Sequence, residues 1–269
     1  MHPFSDVDAS GRAAELVEYL DRTDRGLHAP KETLRAGLDL PPGGRVLDLG
    51  CGAGHELVQL ERAGFQAYGV DPSAAMVSAS RERLAGHGFT ARLALADGQR
   101  LPYADGFFDG CRIERVLQHV PDPSAALGQA LRVLRPGGRI AVLEPDWASV
   151  TLASADAEAA RAVAREAGGG IAHRAVGRHL RRLLAEAGFQ DVRIEVELVV
   201  YSSIGDLSGV ISLERAAARA CDAGRIDEAR AAAWLAEQRE LSERGMFHAT
   251  FHRSVLAWAR RPAGVPAAA

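Results

Sequence analysis

Three acids in this chain stand where short apolar runs meet glycines or turns. Val46-Leu47-Asp48-Leu49 runs straight into Gly50-Cys51-Gly52-Ala53-Gly54, and Leu57, Leu60 and Gly64 follow at helical spacing. Glycines at alternate positions let a backbone turn sharply and leave no side chain above it, so a ligand can approach the main chain closely. Asp71 closes a second apolar run, Ala67-Tyr68-Gly69-Val70, and Asp97-Gly98 closes a third, Ala91 to Ala96. Strand, glycine turn and helix at the carboxyl edge of a parallel sheet form the place where open α/β folds take a nucleotide-like ligand. Singly, Asp71 ahead of Pro72 reads equally as a helix cap, and Asp97 as a turn residue.

Other residues could move protons or shape a second pocket. His119 follows a fourth apolar run, Phe107 to Ile113, and could take a proton from a hydroxyl or an acidic carbon. The same histidine reads equally as a group that bonds backbone or packs. Arg115 and Gln118 are alternative pocket residues beside it. Glu144-Pro145-Asp146-Trp147 follows a fifth strand, with Trp147 as a candidate wall and Asp146 as a second candidate base. Tyr19, His28 and Tyr201 could line the same space. A metal site is not expected: His173 and His179 are off the i, i+4 pairing, and His248 and His252 lack an acid or cysteine nearby in sequence.

The elements that must position these groups read clearly. Seven strands are expected at 45–49, 67–71, 91–96, 107–113, 139–144, 192–200 and 247–259, the first five alternating with helices. That rhythm implies a doubly wound, Rossmann-like α/β fold with a mostly parallel sheet and an antiparallel last strand. Two helices over residues 1–40 form an N-terminal cap above the glycine turn. The main domain then spans 41–262, with helical lid insertions near 148–175 and 205–245, and 263–269 is a loose tail. Leu207 to Cys221 traces one helix, and an Ala-rich helix runs on to about Arg244.

The 269 residues, 47% hydrophobic, suffice for one large core, and a formal charge of -3 gives no reason to expect nucleic acid or an anionic membrane as partner. Three scattered cysteines, Cys51, Cys111 and Cys221, suggest a reducing cytoplasm. No run reaches membrane-spanning length and no leader is expected. Monomer and homodimer both stay open.

Glycines and a strand-end acid also occur in nicotinamide and flavin enzymes, but their fingerprint is GxGxxG. Here the spacing is GxGxG with Asp48 two residues ahead, joined by Asp71, Asp97-Gly98 and Leu134-Arg135-Pro136-Gly137-Gly138 before the fifth strand. As a set these residues resemble the class I S-adenosylmethionine-dependent methyltransferases, in particular the small-molecule group that includes the ubiquinone and menaquinone enzymes. The likeness covers residues 40 to 145 motif by motif.

The resemblance implies S-adenosyl-L-methionine as cofactor and a small organic acceptor, methylated on oxygen, carbon or nitrogen, in secondary metabolism or quinone-like chemistry. It implies that Gly50, Gly52 and Gly54 admit the methionine part, and that Asp48 orients the turn or helps hold the amino group. Asp71 would accept from the ribose hydroxyls, and Asp97 from the adenine amine beside the Gly98 N–H. Met76 would pack on the adenine, and the Ile113 carbonyl and Glu114 would lie near the methionine amine. Rival readings are a cyclase or hydroxylase-like enzyme on the same scaffold, a sensor that binds without turnover, and a nicotinamide oxidoreductase.

Overall fold

Strands with near-continuous apolar sequence need cover on both faces, and here helices supply it. The computed structural model describes residues 7–25 and 27–263. Met1 to Asp6 and all of the expected tail except Ala263 lie outside the described residues.

Five parallel strands carry the first half: β1 (Arg45–Leu49), β2 (Gln66–Asp71), β3 (Leu93–Leu95), β4 (Phe108–Glu114) and β5 (Leu134–Glu144). Their order in the sheet is β3-β2-β1-β4-β5. The order reverses between β1 and β4, so the chain leaves both strands at the crevice where such sheets bind ligands. The antiparallel end is β7 (Gln190–Tyr201) and β8 (Ala249–Arg260). β8 pairs antiparallel with β5 along one edge and with β7 along the other.

All seven expected strands are present, and the sheet adds an eighth. The two-residue β6 (Thr151–Leu152) pairs with Ala249 and Thr250 of β8. It continues the line of β5 beyond the interruption at Pro145 to Val150, too short to leave a periodic signal in sequence.

The chain before the sheet forms α1 (Ala13–Arg25) and α2 (His28–Ala36). Only α1 caps the glycine turn, where Leu16 joins Val7, Ala53 and Met76 in a small apolar cluster. α2 instead covers a sheet face, packing Leu34 and the following Leu38 with Leu143 and Trp258. The Trp258 indole donates to the Leu34 carbonyl at 3.0 Å. Gly37 makes that approach possible, since a Cβ there would lie 2.1 Å from the indole nitrogen.

Between the strands lie α3 (His55–Arg62), α4 (Ala74–Gly86) and α5 (Pro123–Val133), with α7 (Val176–Glu186) ahead of β7. α5 starts as its sequence dictates: Asp122 accepts from Ser124 and Ala125 N–H, and Pro123 sits at the first helical position. Helices α6 (Ala157–Arg165), α8 (Ile204–Ser208), α9 (Leu213–Asp222) and α10 (Glu228–Glu243) occupy the segments expected as a lid. They share a second core built around Val163, Ala216, Trp234 and Phe251. The single helix expected over 207–221 is broken into α8 and α9, because Ser212 caps a fresh N-terminus by accepting from Arg215 N–H.

The alternation of β7 is only half used. Val192 and Ile194 pack on the main core, whereas Val196, Leu198 and Val200 are exposed. Val199 and Tyr201, of the opposite parity, belong to the lid core.

Candidate active site

The glycine turn is fastened at nearly every peptide. Gly50 and Cys51 N–H both donate to the Val70 carbonyl, at 2.7 and 3.0 Å. Ser80 donates to the Gly52 carbonyl at 2.7 Å and Arg83 to the Ala53 carbonyl at 2.8 Å. Gly50 has φ +74°, and a Cβ there would lie 2.3 Å from Val116, so this position requires glycine twice over. Gly54, φ +81°, begins α3 and lies against Ser80, where a Cβ would come within 2.8 Å of the hydroxyl.

Asp71 joins the ends of β1 and β2. One carboxylate oxygen accepts from Gly52 N–H at 2.9 Å and the other from Ser73 N–H at 3.0 Å. Burial pushes this carboxyl above its ordinary value, opposed by the two N–H groups. Each oxygen still has a lone pair available to a ligand hydroxyl. The capping role falls to others: Ser73 caps α4, and Asp8 accepts from the Ser73 hydroxyl and from Ala74 and Ala75 N–H. Asp97 is exposed and holds Gln99 N–H at 2.8 Å. Gly98 packs so closely on Leu49 that a Cβ would lie 2.8 Å from it.

Asp48 is buried beneath the turn, away from the large cavity. It pairs with Arg112 at 2.9 Å, on neighbouring positions of β1 and β4. Arg112 also pairs with Glu114 and lies 3.5 Å from Glu56. Lys31, the only lysine of the chain, reaches Glu114 at 3.1 Å, and Arg35 reaches Glu56 at 3.0 Å. Burial pushes the Asp48 carboxyl up to about 6 in spite of Arg112, whose charge is shared among three carboxylates. Burial also opposes ionisation of Glu114, but Lys31, Arg112 and Arg115 together hold it well below the usual carboxylate range.

Above β4, the chain turns at Arg115, whose φ of +54° is uncommon for a residue with a side chain. Glu144, at the end of β5, fixes the loop beyond this turn by accepting from Val116 N–H at 2.8 Å and Leu117 N–H at 2.6 Å. Burial pushes the Glu144 carboxyl up to about 8 against those bonds. Trp147 donates to Gln118 at 2.8 Å, and Gln118 donates to the Arg115 carbonyl at 3.2 Å. His119 stands on this fastened loop and lines the cavity.

A cavity of about 900 Å³ opens over these elements, near the upper end of the range for small-molecule sites. Of the residues expected at a cofactor site, Gly50, Gly52, Asp71, Met76, Asp97, Gly98 and Glu114 line it, as do His119, Tyr19, Gln118 and Trp147. Two expected contacts stand elsewhere: Asp48 lies in the charged layer below and Gly54 under Ser80. The Ile113 side chain is in the main core, and its carbonyl, the atom expected near the methionine amine, belongs to the end of β4. Asp146 is no candidate base, because its carboxylate is buried, caps the turn at Ala148 and pairs with Arg178 at 2.7 Å. His28 is exposed beside Glu32, and Tyr201 is buried in the lid core, so neither reaches the cavity. Asp8, Arg215 and Arg219 line it without having been anticipated.

Among the described residues there is no group of three or more potential metal ligands, and no helix is long and apolar enough to cross a membrane. The cavity suits the cofactor that the motif set implies. Its floor is the close-packed backbone of Gly50, Gly52 and Gly98, flanked by two strand-end carboxylates and a buried methionine.

Comparison with known proteins agrees with this geometry. Residues 47–142 match the family described as a methyltransferase domain. The chain is 38% identical over 225 residues to an uncharacterized 37.1 kDa protein in a transposon of Streptomyces fradiae, covering 81% of this chain and 65% of that one. It is 37% identical over 149 residues to a demethylmenaquinone methyltransferase of Beutenbergia cavernae, covering 52% of this chain and 60% of the enzyme. The chain thus spans less than two thirds of these relatives. The fold is shared with a SAM-dependent methyltransferase of Aquifex aeolicus (TM-score 0.54, 16% identity, 92% of this chain and 97% of that one). It is shared also with the [4+2]-cyclase SpnF (TM-score 0.52, 22% identity, 88% of this chain and 82% of that one). Sheet order, motif set and family match together mark residues 47–142 as similar to the cofactor-binding part of the class I S-adenosylmethionine-dependent methyltransferases.

Proposed function

We propose that this protein transfers a methyl group from S-adenosyl-L-methionine to oxygen, carbon or nitrogen of a small organic acceptor, and that the 900 Å³ cavity holds both. The observation that carries this is the convergence of Gly50, Gly52, Asp71, Met76, Asp97 and Gly98 on one cavity that His119, Gln118 and Trp147 also line. Bound there, S-adenosyl-L-methionine would supply an electrophilic methyl carbon on a cationic sulfonium, and the thioether left after transfer would carry no charge.

The chain's own residues orient and exclude. Asp71 accepts from vicinal hydroxyls with the lone pairs its backbone bonds leave over, and Asp97 accepts from an exocyclic amine. Met76, nearly inaccessible at 2% exposure, forms an apolar floor. His119 takes the acceptor's proton when the acceptor is protonated at the attacking atom. α1 and the lid shield the site from water, so that positioning supplies most of the rate. Kinship to a demethylmenaquinone methyltransferase supports a quinone-like or secondary-metabolic acceptor.

The fold shared with SpnF keeps a second reading alive, in which the cavity serves a reaction other than methylation. Incubation with donor labelled in the methyl group and a broad acceptor panel separates the two. Formation of S-adenosylhomocysteine with label in an acceptor supports transfer. Tight cofactor binding without release of label across the panel favours the second reading, and binding of a nicotinamide dinucleotide in its place refutes both.

A further inference from the structure

The two ends of the cavity differ in charge. Acids among its lining residues come from the strand ends and the N-terminal segment, where Arg12 and Arg115 pair with Glu15 and Glu114, whereas the residues from 167–171 and α9 include Arg215 and Arg219 and no acid. Arg215 and Arg219 stand one turn apart on α9, a like-charge spacing that destabilises a helix by about 0.2–0.5 kcal/mol. Neither has a carboxylate within ion-pair distance among the described residues. Arg219 donates through Nε and Nη2 to the Glu166 carbonyl, at 3.2 and 2.6 Å, while the Glu166 carboxylate is taken by Arg225 at 3.1 Å.

Arg219 is seated against the wall, and Arg215, one turn earlier, is exposed at its rim. Gly169 lies flat against Arg219, where a Cβ would come within 2.1 Å of Nε. Gly168 does the same for Trp147 and Arg174, with a Cβ 2.8 Å from the one and 3.2 Å from the other. Behind this wall, Arg174 Nε is buried with no hydrogen-bond partner. Burial and the nearby Arg219 and Arg225 hold the Arg174 guanidinium below its ordinary value. A surplus of positive charge is therefore fixed at the lid end, beside the His119 wall.

Resting on the methyltransferase reading, we propose that the acceptor carries an oxyanion, a carboxylate or a phosphate, which Arg215 and Arg219 bind at the lid end of the cavity. Guanidinium forks match both groups, and a partly desolvated pair is stronger than one in open water. The same arrangement sets the acceptor's orientation, with its anion toward α9 and its nucleophilic atom toward His119.

The test is calorimetric titration of the full chain saturated with S-adenosyl-L-homocysteine, using benzoate, phenyl phosphate and neutral benzamide as probes. At least one anion is expected to bind at one site per chain, with benzamide weaker by about tenfold or more. Arg215→Gln and Arg219→Gln should each weaken that anion by roughly tenfold and leave S-adenosyl-L-homocysteine affinity unchanged. Binding of benzoate alone assigns a carboxylate, and of phenyl phosphate alone a phosphate. Benzamide binding as tightly as the anions, anion binding unaltered in the double variant, or no anion binding overturns the proposal. Failure of S-adenosyl-L-homocysteine to bind the wild-type chain overturns the methyltransferase reading instead.

Discussion

Arg112 donates to Asp48 at 2.9 Å across paired positions of β4 and β1, and both side chains are fully enclosed. The pair lies directly beneath the glycine turn, so the acid that precedes the glycines braces the turn from below. Removing Arg112 strands Asp48 in a dry layer, while Glu114 and Glu56 keep Lys31 and Arg35. Arg112→Met should destabilise the protein by about 3–5 kcal/mol in urea unfolding. Asp48→Asn, which keeps an acceptor for the guanidinium, should cost less than half as much.

Glu144 gives the fold a pH dependence. Its folded-state pKa of about 8 lies above the ordinary 4.5, so the folded state binds the extra proton. Its contribution is complete below about pH 4.5 and is lost as pH rises toward 8. Glu144→Gln keeps an acceptor for Val116 and Leu117 N–H and should flatten the stability-versus-pH curve in that window. Glu144→Ala leaves two buried donors unsatisfied and should cost about 2–4 kcal/mol. An unchanged pH profile in Glu144→Gln would assign the dependence to other groups.

His119→Ala should lower turnover by roughly 10²–10⁴-fold for an acceptor that must lose a proton, with cofactor affinity near wild type. An acceptor already deprotonated at the attacking atom should be nearly insensitive to the substitution. Full rate with both acceptor types would remove His119 from the chemistry.

Asp71→Ala has two effects that calorimetry and unfolding can separate. The carboxylate accepts from Gly52 and Ser73 N–H, so its loss should reduce stability by about 1–3 kcal/mol. The loss of hydroxyl acceptors should weaken S-adenosyl-L-homocysteine binding by a further tenfold or so, measured where the variant remains folded.

The residues proposed to hold the cofactor were legible as strand-end positions because their surroundings are local. Gly50, Gly52, Asp71, Asp97 and Gly98 stand at strand ends, and strand ends follow from short apolar runs. The sheet's seven main strands were legible for the same reason, whereas β6 has only two residues and no period to read. Contacts between distant segments left no such trace. Asp8 meets Ser73 across 65 positions, and Lys31 meets Glu114 only because α2 lies on the sheet face. Arg215 and Arg219 look like the solvated face of an Ala-rich helix until the lid folds them over the cavity. Asp146 shows the converse: its place after β5 suggested a base, but a partner 32 residues away, Arg178, claims it.

Asp97 offers the cleanest access to the central claim, since it is exposed and supports only the turn at Gln99, so its removal leaves the fold intact. The decisive measurement is calorimetric titration of wild-type protein and Asp97→Ala with S-adenosyl-L-homocysteine. One site per chain in the wild type, weakened by roughly tenfold in the variant, is the predicted result. No binding to a folded wild-type chain, or equal affinity in the two proteins, would contradict a cofactor site at this end of the cavity.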